Sequence, residues 1–598
     1  MILKFLNDNL DRIEKPSRYI GGEHNQVVKD PQNVLLRVGL VFPDLYEVGM
    51  SNLGIAILYH LLNNQPKIWA ERIFLPWKDM IDLMKQKDVE LFTLESKTPL
   101  RKLDLVGISL QYELSYTNVL CVLELAKIPL FSDLRSENDP IVIAGGPCTT
   151  NPEVMAKVFD ALVVGDGEEV IFEIAQSLVQ TKGMPREERL KALSQIKGVY
   201  VPLFYTPTIP PKPKFDWVPS KINRRITRDI NRIRIPPQRV MPNVQLVHDR
   251  VVEEVMRGCT RGCRFCQAGI IYRPVREKYS EVILEESISS LLCTGYEELA
   301  LLSLSTADHS SIVELLRKLR ERTENSGVSL SIPSTRLDTF GLSIAQAVNK
   351  VRRTGLTFAP EAGTQRLRDV INKNVTEEDY VRTLESAKSA GWNRIKLYFM
   401  IGLPTETDED LAGIVEMAKI ARKIGFKKIT LSVANLIPKP HTPFQFSEQK
   451  SIEYLNHAQK ILSKAREIAI IDFHDTRMSL IEGLLSRGDR KVFEVVLGAF
   501  KNGASFDDWQ NFFNFDSWKR AIEEVQIDLN AYLRQRGLYE EFPWDHIDVC
   551  VSKEFLIREY QKAMQGIVTP DCRWNGCAGC GVCNQDLQNI LEKKQQRG

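Results

Sequence analysis

The stretch VEEVMRGCTRGCRFCQAG (Val252–Gly269) runs a β-type segment directly into three cysteines spaced C-x-x-x-C-x-x-C, at Cys259, Cys263 and Cys266. Downstream to about Lys450, apolar runs (ELALLSLS, VSLSIPS, LTFAPEA, RIKLYFMIG, KITLSVANL) alternate with helix-type segments. Two of these are SIVELLRKLRERT (Ser311–Thr323) and TEEDYVRTLESAKSAG (Thr376–Gly391). The latter opens on a Thr-x-x-Asp capping pattern and closes on glycine, as a helix does. Six strand–helix units in about 200 residues predict a partial (β/α)6 barrel, smaller than the eight-unit form.

Three thiolates ligate three irons of a [4Fe–4S] cube and leave the fourth iron open, whereas four would close it. The plainer readings are a zinc site and buried thiols. Structural zinc takes four protein ligands, and His248 and His309 have no matching spacing. The motif, with Phe265 before the third cysteine and a β/α series after it, resembles the radical S-adenosylmethionine (SAM) superfamily. The resemblance implies an open iron that chelates SAM and, on one-electron reduction, yields a 5′-deoxyadenosyl radical. PSTRLD (Pro333–Asp338), APEAG (Ala359–Gly363) and MIGLPTET (Met400–Thr407) stand at strand ends. By that resemblance Phe265, Ser334 and Arg336 line the SAM pocket, and Glu361 binds the ribose or methionine portion. Gly402 and Pro404 let backbone approach the adenine. Ser305, in LSLSTADH, occupies the methionine-amine position, where this chain departs from the common Gly-Gly-Glu form. An ordinary strand terminus is the alternative at each of these positions.

Upstream, VLLRVGLVF (Val34–Phe42), LDLVGISL (Leu103–Leu110), PIVIAGG (Pro140–Gly146) and ALVVGDG (Ala161–Gly167) predict a parallel sheet wrapped by helices. DLYEVG resembles the D-x-H-x-x-G loop of cobalamin-binding domains, placing Asp44, Tyr46 and Gly49. Ser109 ends a strand as the Gly-x-Ser element does, Gly145 and Gly146 form the glycine pair, and Gly165 and Gly167 lie in the Gly-Glu-Gly-Glu-like element. Tyr46 stands where the axial histidine would be, so the resemblance implies cobalamin without a histidine beneath the cobalt. A sheet that kept the fold and lost the ligand is the alternative.

TPDCRWNGCAGCGVCNQ spaces Cys572, Cys577, Cys580 and Cys583 as C-x4-C-x2-C-x2-C. A second, closed [4Fe–4S] cluster and structural zinc are both open to it. Cys121, Cys148, Cys293 and Cys550 are scattered and read as plain thiols.

The expected architecture is α/β. A Rossmann-like, cobalamin-binding-type domain spans 1–200, a Pro-rich and basic linker 201–244, and the radical SAM barrel 245–468. A helical extension follows over 469–565 and a Cys-rich iron–sulfur tail over 566–598. A net charge of +2 gives no global basic field, and INRRITRDINRIRIPPQR (Ile222–Arg239) reads either as a phosphate-contacting arm or as a solvated connector. No apolar run is long enough to cross a bilayer, so a cytoplasmic protein is expected. The whole chain resembles a bacterial family of cobalamin-binding radical SAM proteins. That implies an enzyme needing a flavodoxin- or ferredoxin-type electron donor and performing cobalamin-dependent methyl transfer to an unactivated carbon. The alternatives are other radical chemistry without cobalamin, and a non-catalytic redox or cofactor-sensing protein. The basic connector points toward RNA or a ribosomal component as substrate. His441 reads as part of a rigid turn, and His474–Asp475 and Asp545–His546 as structural contacts.

Overall fold

Short β-branched runs that are apolar along their whole length form strands buried on both faces, which is how the N-terminal third folds. The computed structural model describes residues 2–324, 326–333, 336–338, 356–584 and 587–592. Its first sheet contains β1 (Leu36–Phe42), β2 (Ile68–Phe74), β3 (Leu105–Ser109), β4 (Ile141–Gly145), β5 (Ala161–Val163) and β6 (Val199–Tyr200). The order is β2-β1-β3-β4-β5-β6, parallel except for β6. The chain leaves β1 for β2 on one side and returns for β3 on the other. The topological switch point, beside which such sheets bind ligands, therefore lies between β1 and β3.

The connector carries β7 (Ile222–Asn223) and is not the free, extended linker that its prolines predict. Arg224 is buried and donates to the carbonyls of Ile271 and Arg273. Arg225 pairs with Glu173 at 2.6 Å, and the Thr227 N–H bonds Asp166. Arg239 pairs with Glu253 and Arg234 with Glu286. The basic residues thus stitch the first sheet to the barrel. The phosphate-arm reading loses most of the charge it relied on.

The barrel region contains β8 (Val251–Glu254), the antiparallel pair β9 (Met256–Arg257) and β10 (Arg276–Glu277), β11 (Glu298–Leu302), β12 (Ser329–Ser331), β13 (Leu356–Glu361), β14 (Arg394–Ile401), β15 (Lys428–Asn435) and β16 (Ile470–Phe473). Among the described residues these form the parallel runs β12-β11-β8 and β13-β14-β15-β16. The strand β16 falls where the sequence reads as the start of a helical stretch. It is four residues long with no buried position, too short and too exposed to announce itself by apolar pattern.

Alternation along β14 gives the barrel its two faces. Ile395, Leu397, Phe399 and Ile401 are buried in the layer of helices, while Lys396, Tyr398 and Met400 stay accessible on the other face. Thr430 and Ser432 do the same on β15. A filled eight-stranded barrel would pack that inner face with branched aliphatics; here it is polar and open.

The C-terminal third folds back rather than outward. Phe493, Val495 and Val496 of the helix Val492–Lys501 are fully buried in the same apolar core as the first sheet, and Phe493 packs edge-on to Phe131 at 5.6 Å. β17 (Ile547–Asp548) pairs with β7. Among the described residues no helix is long and apolar enough to cross a membrane.

Candidate active site

Cys259, Cys263 and Cys266 lie on the loop between β9 and β10, held by two arginines of the motif itself. Arg261 pairs with Asp308, with Asp338 at 2.8 Å and with Asp571 at 3.3 Å. Arg264 is fully buried and donates to Glu559 and to the carbonyls of Asp369, Val370 and Ile567. The Arg261 N–H points at the Cys259 sulfur (3.5 Å) and the Gly269 N–H at the Cys266 sulfur (3.3 Å). Backbone donors aimed at sulfur suit thiolates that carry negative charge to a metal.

Burial, and then the neighbouring Cys263 sulfur, push the Cys259 thiol up to about 11 and the Cys266 thiol up to about 12. Cys259 and Cys266 thus resist ionisation until a metal ion supplies the compensating charge. Arg336 stands beside Cys259 and Cys263, and Lys373 beside Cys266. Among the described residues no three His, Cys, Asp or Glu side chains gather as donors to one ion. A cubane draws each thiolate to a different iron. The donor set, its backbone N–H groups and the flanking cations fit such a cluster.

The other SAM-pocket residues divide. Glu361 ends β13 at a shift in register against β14, with φ of +69°, and meets Lys373 Nζ at 3.2 Å. A register shift and a carboxylate residue with left-handed backbone at a strand end are features expected of a site. Arg336 bonds Asp338 (2.9 Å) and the Lys373 carbonyl (2.7 Å), and Phe265 is half-buried against the core. Ser305 is buried with its hydroxyl on Asp308 (2.6 Å), so it braces Arg261 rather than facing a ligand. Ser334 lies outside the described residues. A side chain at Gly402 would meet Leu455 at 3.1 Å, and its φ of +80° requires glycine, which accounts for the residue without an adenine. Pro404 follows in that turn, half-buried.

Glu406, in the same turn, accepts the Gly402 N–H (2.8 Å) and the Tyr454 hydroxyl (2.9 Å), and burial pushes its carboxyl up to about 7. The folded state thus holds a proton that the unfolded chain releases near 4.5. Its stabilising effect is full below about pH 4.5 and is lost as pH rises through about 7. Glu406→Gln is expected to be more stable than the wild type at pH 8 by on the order of 1–3 kcal/mol, with the gap closing at pH 5. Thermal melts at the two pH values check this.

At the first sheet, the loop after β1 is committed to internal packing. The Tyr46 ring is buried edge-on to Phe74, and its hydroxyl donates to Glu23 (3.1 Å) and accepts the Asn243 N–H (3.2 Å). A Cβ on Gly49 would lie 2.3 Å from Phe74. Asp44 accepts the Trp509 indole N–H at 3.0 Å, and burial pushes its carboxyl upward, while burial and then the Asp44 charge push the Asp508 carboxyl up to about 8. On the far side, Gly165 faces the Arg225 carbonyl and Gly167 faces Leu58. Asp44 and Tyr46 are therefore turned into the core and Gly165 is closed off by the Arg225 backbone, whereas Gly167 is half-exposed and Gly49 borders a cavity lined by Met50, Leu53, Tyr59, Arg239 and His248. Ser109, Gly145 and Gly146 are half-exposed at the ends of β3 and β4, and a Cβ on Gly145 would meet no protein atom within 4 Å. A Cβ on Gly146, by contrast, would meet the Leu110 carbonyl at 2.4 Å, so the cradle is open at Gly145.

Two bonds turn this cradle toward the cysteine loop. Gln267, next to Cys266, donates to Thr150 Oγ1 (3.2 Å) and to the Pro440 carbonyl (3.2 Å). His441 Nε2–H donates to the Thr150 carbonyl at 2.9 Å, and burial lowers its imidazole to about 4, so it stays neutral. Beside them Lys439 is clamped by Glu113 and Glu482, both at 2.7 Å, and the Tyr112 hydroxyl donates to Glu482. Sequence reasoning passed over Lys373, Arg261 and Lys439. The Asn-Lys-Asn at 372–374 was a usable signal, since both asparagines take the left-handed backbone that this residue tolerates (φ +53° and +52°).

The chain matches the family models described as "Radical SAM proteins, N-terminal" over residues 54–202 and "Radical SAM superfamily" over 254–434. It is 28% identical over 470 residues to an uncharacterised protein of Methanocaldococcus jannaschii, covering 77% of this chain and 91% of that one. An uncharacterised methyltransferase of Pyrococcus horikoshii is 25% identical over 293 residues, covering 48% and 58%. Among solved structures, the radical SAM methyltransferase TsrM of Kitasatospora setae, with cobalamin and a [4Fe–4S] cluster bound, aligns with a TM-score of 0.53. That alignment is 13% identical and covers 82% of this chain and 98% of that one.

Proposed function

This chain belongs to the radical SAM superfamily, and we propose that it transfers a methyl group to an unactivated carbon, using two cofactors that it would hold on neighbouring loops. The observation that carries this reading is the clamp on Thr150. Gln267 of the cysteine loop and His441 of the turn after β15 both bond Thr150 in the turn after β4, so the strand ends at Ser109 and Gly145 and the loop of Cys259, Cys263 and Cys266 meet at one junction. Cobalamin and a cluster bound in the solved methyltransferase of similar fold support the pairing.

In this reading the three cysteines hold the [4Fe–4S] cluster, Arg336 and Lys373 offset the charge of the thiolates and of the SAM carboxylate, and Glu361 accepts from the SAM ammonium or ribose. When bound, the cluster supplies the electron that splits SAM to a 5′-deoxyadenosyl radical, and cobalamin supplies the methyl group. The chain's own part is positional. Arg261, pinned by three carboxylates, keeps the loop from shifting. Tyr112, Lys439 and Glu482 wall the junction with groups already paired to each other, so that it excludes water without leaving a charge bare. Tyr46, turned into the core with its hydroxyl on Glu23, would not be free to ligate a bound cobalamin.

The test is anaerobic reconstitution with iron, sulfide and cobalamin, followed by turnover with methyl-labelled SAM. RNA and small-molecule fractions from cells lacking this chain would supply the substrate, and a reduced flavodoxin or ferredoxin the electron. About one cobalamin per chain, deoxyadenosine release and label in one fraction are expected. Deoxyadenosine without labelled product would reject methyl transfer and leave other radical chemistry.

A further inference from the structure

The C-terminal cysteines fold onto the first cysteine loop instead of standing apart from it. Thr569 exchanges bonds with Asn372, whose side chain also donates to the Gly262 carbonyl (3.1 Å) between Cys259 and Cys263. Asp571, the neighbour of Cys572, pairs with Arg261. Arg573 bonds the Asp308 carbonyl and, at 3.0 Å, Glu277. Arg273 links the two loops: its Nε donates to the Gly269 carbonyl (2.9 Å), whose own N–H points at the Cys266 sulfur, and its positive charge acts on both Cys572 and Cys583.

The tail is shaped around its own sulfurs. Cys572 neighbours Cys580 and Cys583, and Cys583 neighbours Cys577 and Cys580. Gly576, Gly579 and Gly581 take left-handed φ of +84°, +69° and +93°, which lets the loop reverse direction between successive cysteines. The Gly579 N–H points at the Cys577 sulfur (3.3 Å). The helix Lys553–Met564 steadies the loop through Arg558, which donates to the Ala578 and Gly579 carbonyls. Burial is graded across it: Cys577 and Cys583 are exposed, Cys572 is half-buried and Cys580 is buried.

We propose that Cys572, Cys577, Cys580 and Cys583 hold a second iron–sulfur cluster that relays single electrons to the cluster at Cys259, Cys263 and Cys266. This rests on the radical SAM reading of the first loop. Four ligands close the second cluster to substrate, so electron transfer is the chemistry left to it. The balance is one electron in and one out. A reduced flavodoxin- or ferredoxin-type carrier loses an electron to the tail cluster from the side of the exposed Cys577 and Cys583. The tail cluster passes it across the junction made by Asn372, Thr569, Asp571 and Arg261 and returns to its oxidised state, with no bond made and no proton moved.

The experiment uses the full chain, anaerobically reconstituted, as wild type, Cys577→Ala/Cys580→Ala, and a triple alanine variant at Cys259, Cys263 and Cys266. About eight irons in the wild type and about four in each variant are expected. Each variant should show its own reduced-cluster electron spin resonance signal, and the wild-type signals should be broadened by mutual coupling. In stopped flow, reduction of the first cluster by reduced flavodoxin should slow at least tenfold in the tail variant. Zinc in place of iron, a triple variant without iron, or an unchanged reduction rate overturns the proposal. Should a variant fail to fold, about four irons in the wild type overturns it alone. Iron kept by the triple variant but absent from the tail variant would instead reject the first-loop reading.

Discussion

Cys263→Ala is expected to abolish deoxyadenosine formation from SAM, a fall to the uncatalysed background on the order of 10⁶-fold or more. Cys263 is the middle ligand of the three: its sulfur neighbours those of Cys259 and Cys266, and the Arg336 cation stands beside it. With two thiolates left, the cube lacks the third iron–protein bond that fixes which corner stays open. The loss should not come from unfolding. The side chain is not buried, and the loop is anchored by Arg261 and Arg264, which the substitution does not touch. Thermal stability of the metal-free variant should match that of the metal-free wild type within about 0.5 kcal/mol. Anaerobic assay of deoxyadenosine alongside a melt decides it; retained SAM cleavage would reject the site.

Lys439→Met should carry the largest stability effect outside the apolar core, about 3–5 kcal/mol at neutral pH. Lys439 sits between Glu113 on the first sheet's side and Glu482 on the helix Thr476–Arg487, with Ser486 at 2.9 Å. Methionine keeps the volume and removes the cation, leaving two buried carboxylates opposed across the junction. Lys439 holds the Glu482 carboxyl below its ordinary 4.5 despite burial. That stabilisation is therefore present above about pH 4.5 and is lost as pH falls through the lower folded value. In the variant the Glu482 carboxyl loses the cation that holds it down, moves up and can be neutralised by a proton. The deficit should be greatest at pH 7.5 and should shrink by pH 5. Urea titrations at both pH values measure it, and equal stability at pH 7.5 would show that the pair is not desolvated.

How far the sequence could be read depended on whether a signal was local. The cysteine spacing, the parallel apolar runs and the Thr376 capping box are short-range patterns, and each appears where its residues stand. The partners of Arg261 are not local: Asp308, Asp338 and Asp571 come from three distant segments, and nothing near Arg261 names them. The same holds for the cobalamin-type loop. Asp44 and Gly49 fit the motif in one dimension, yet Trp509 and Phe74 claim them in three. The connector misled for a related reason. Proline content predicts extension, but burial of Arg224 against two carbonyls depends on a surface that only the barrel provides.

The common core of the first sheet and the helix Val492–Lys501 also dictates a timetable for synthesis. The helix Tyr116–Leu125 and Phe131, on which that later helix packs, lack its cover until about three hundred and sixty further residues have been made. A nascent chain of this protein therefore carries naked aliphatic surface for most of its elongation, and must be shielded by other molecules until its last third arrives.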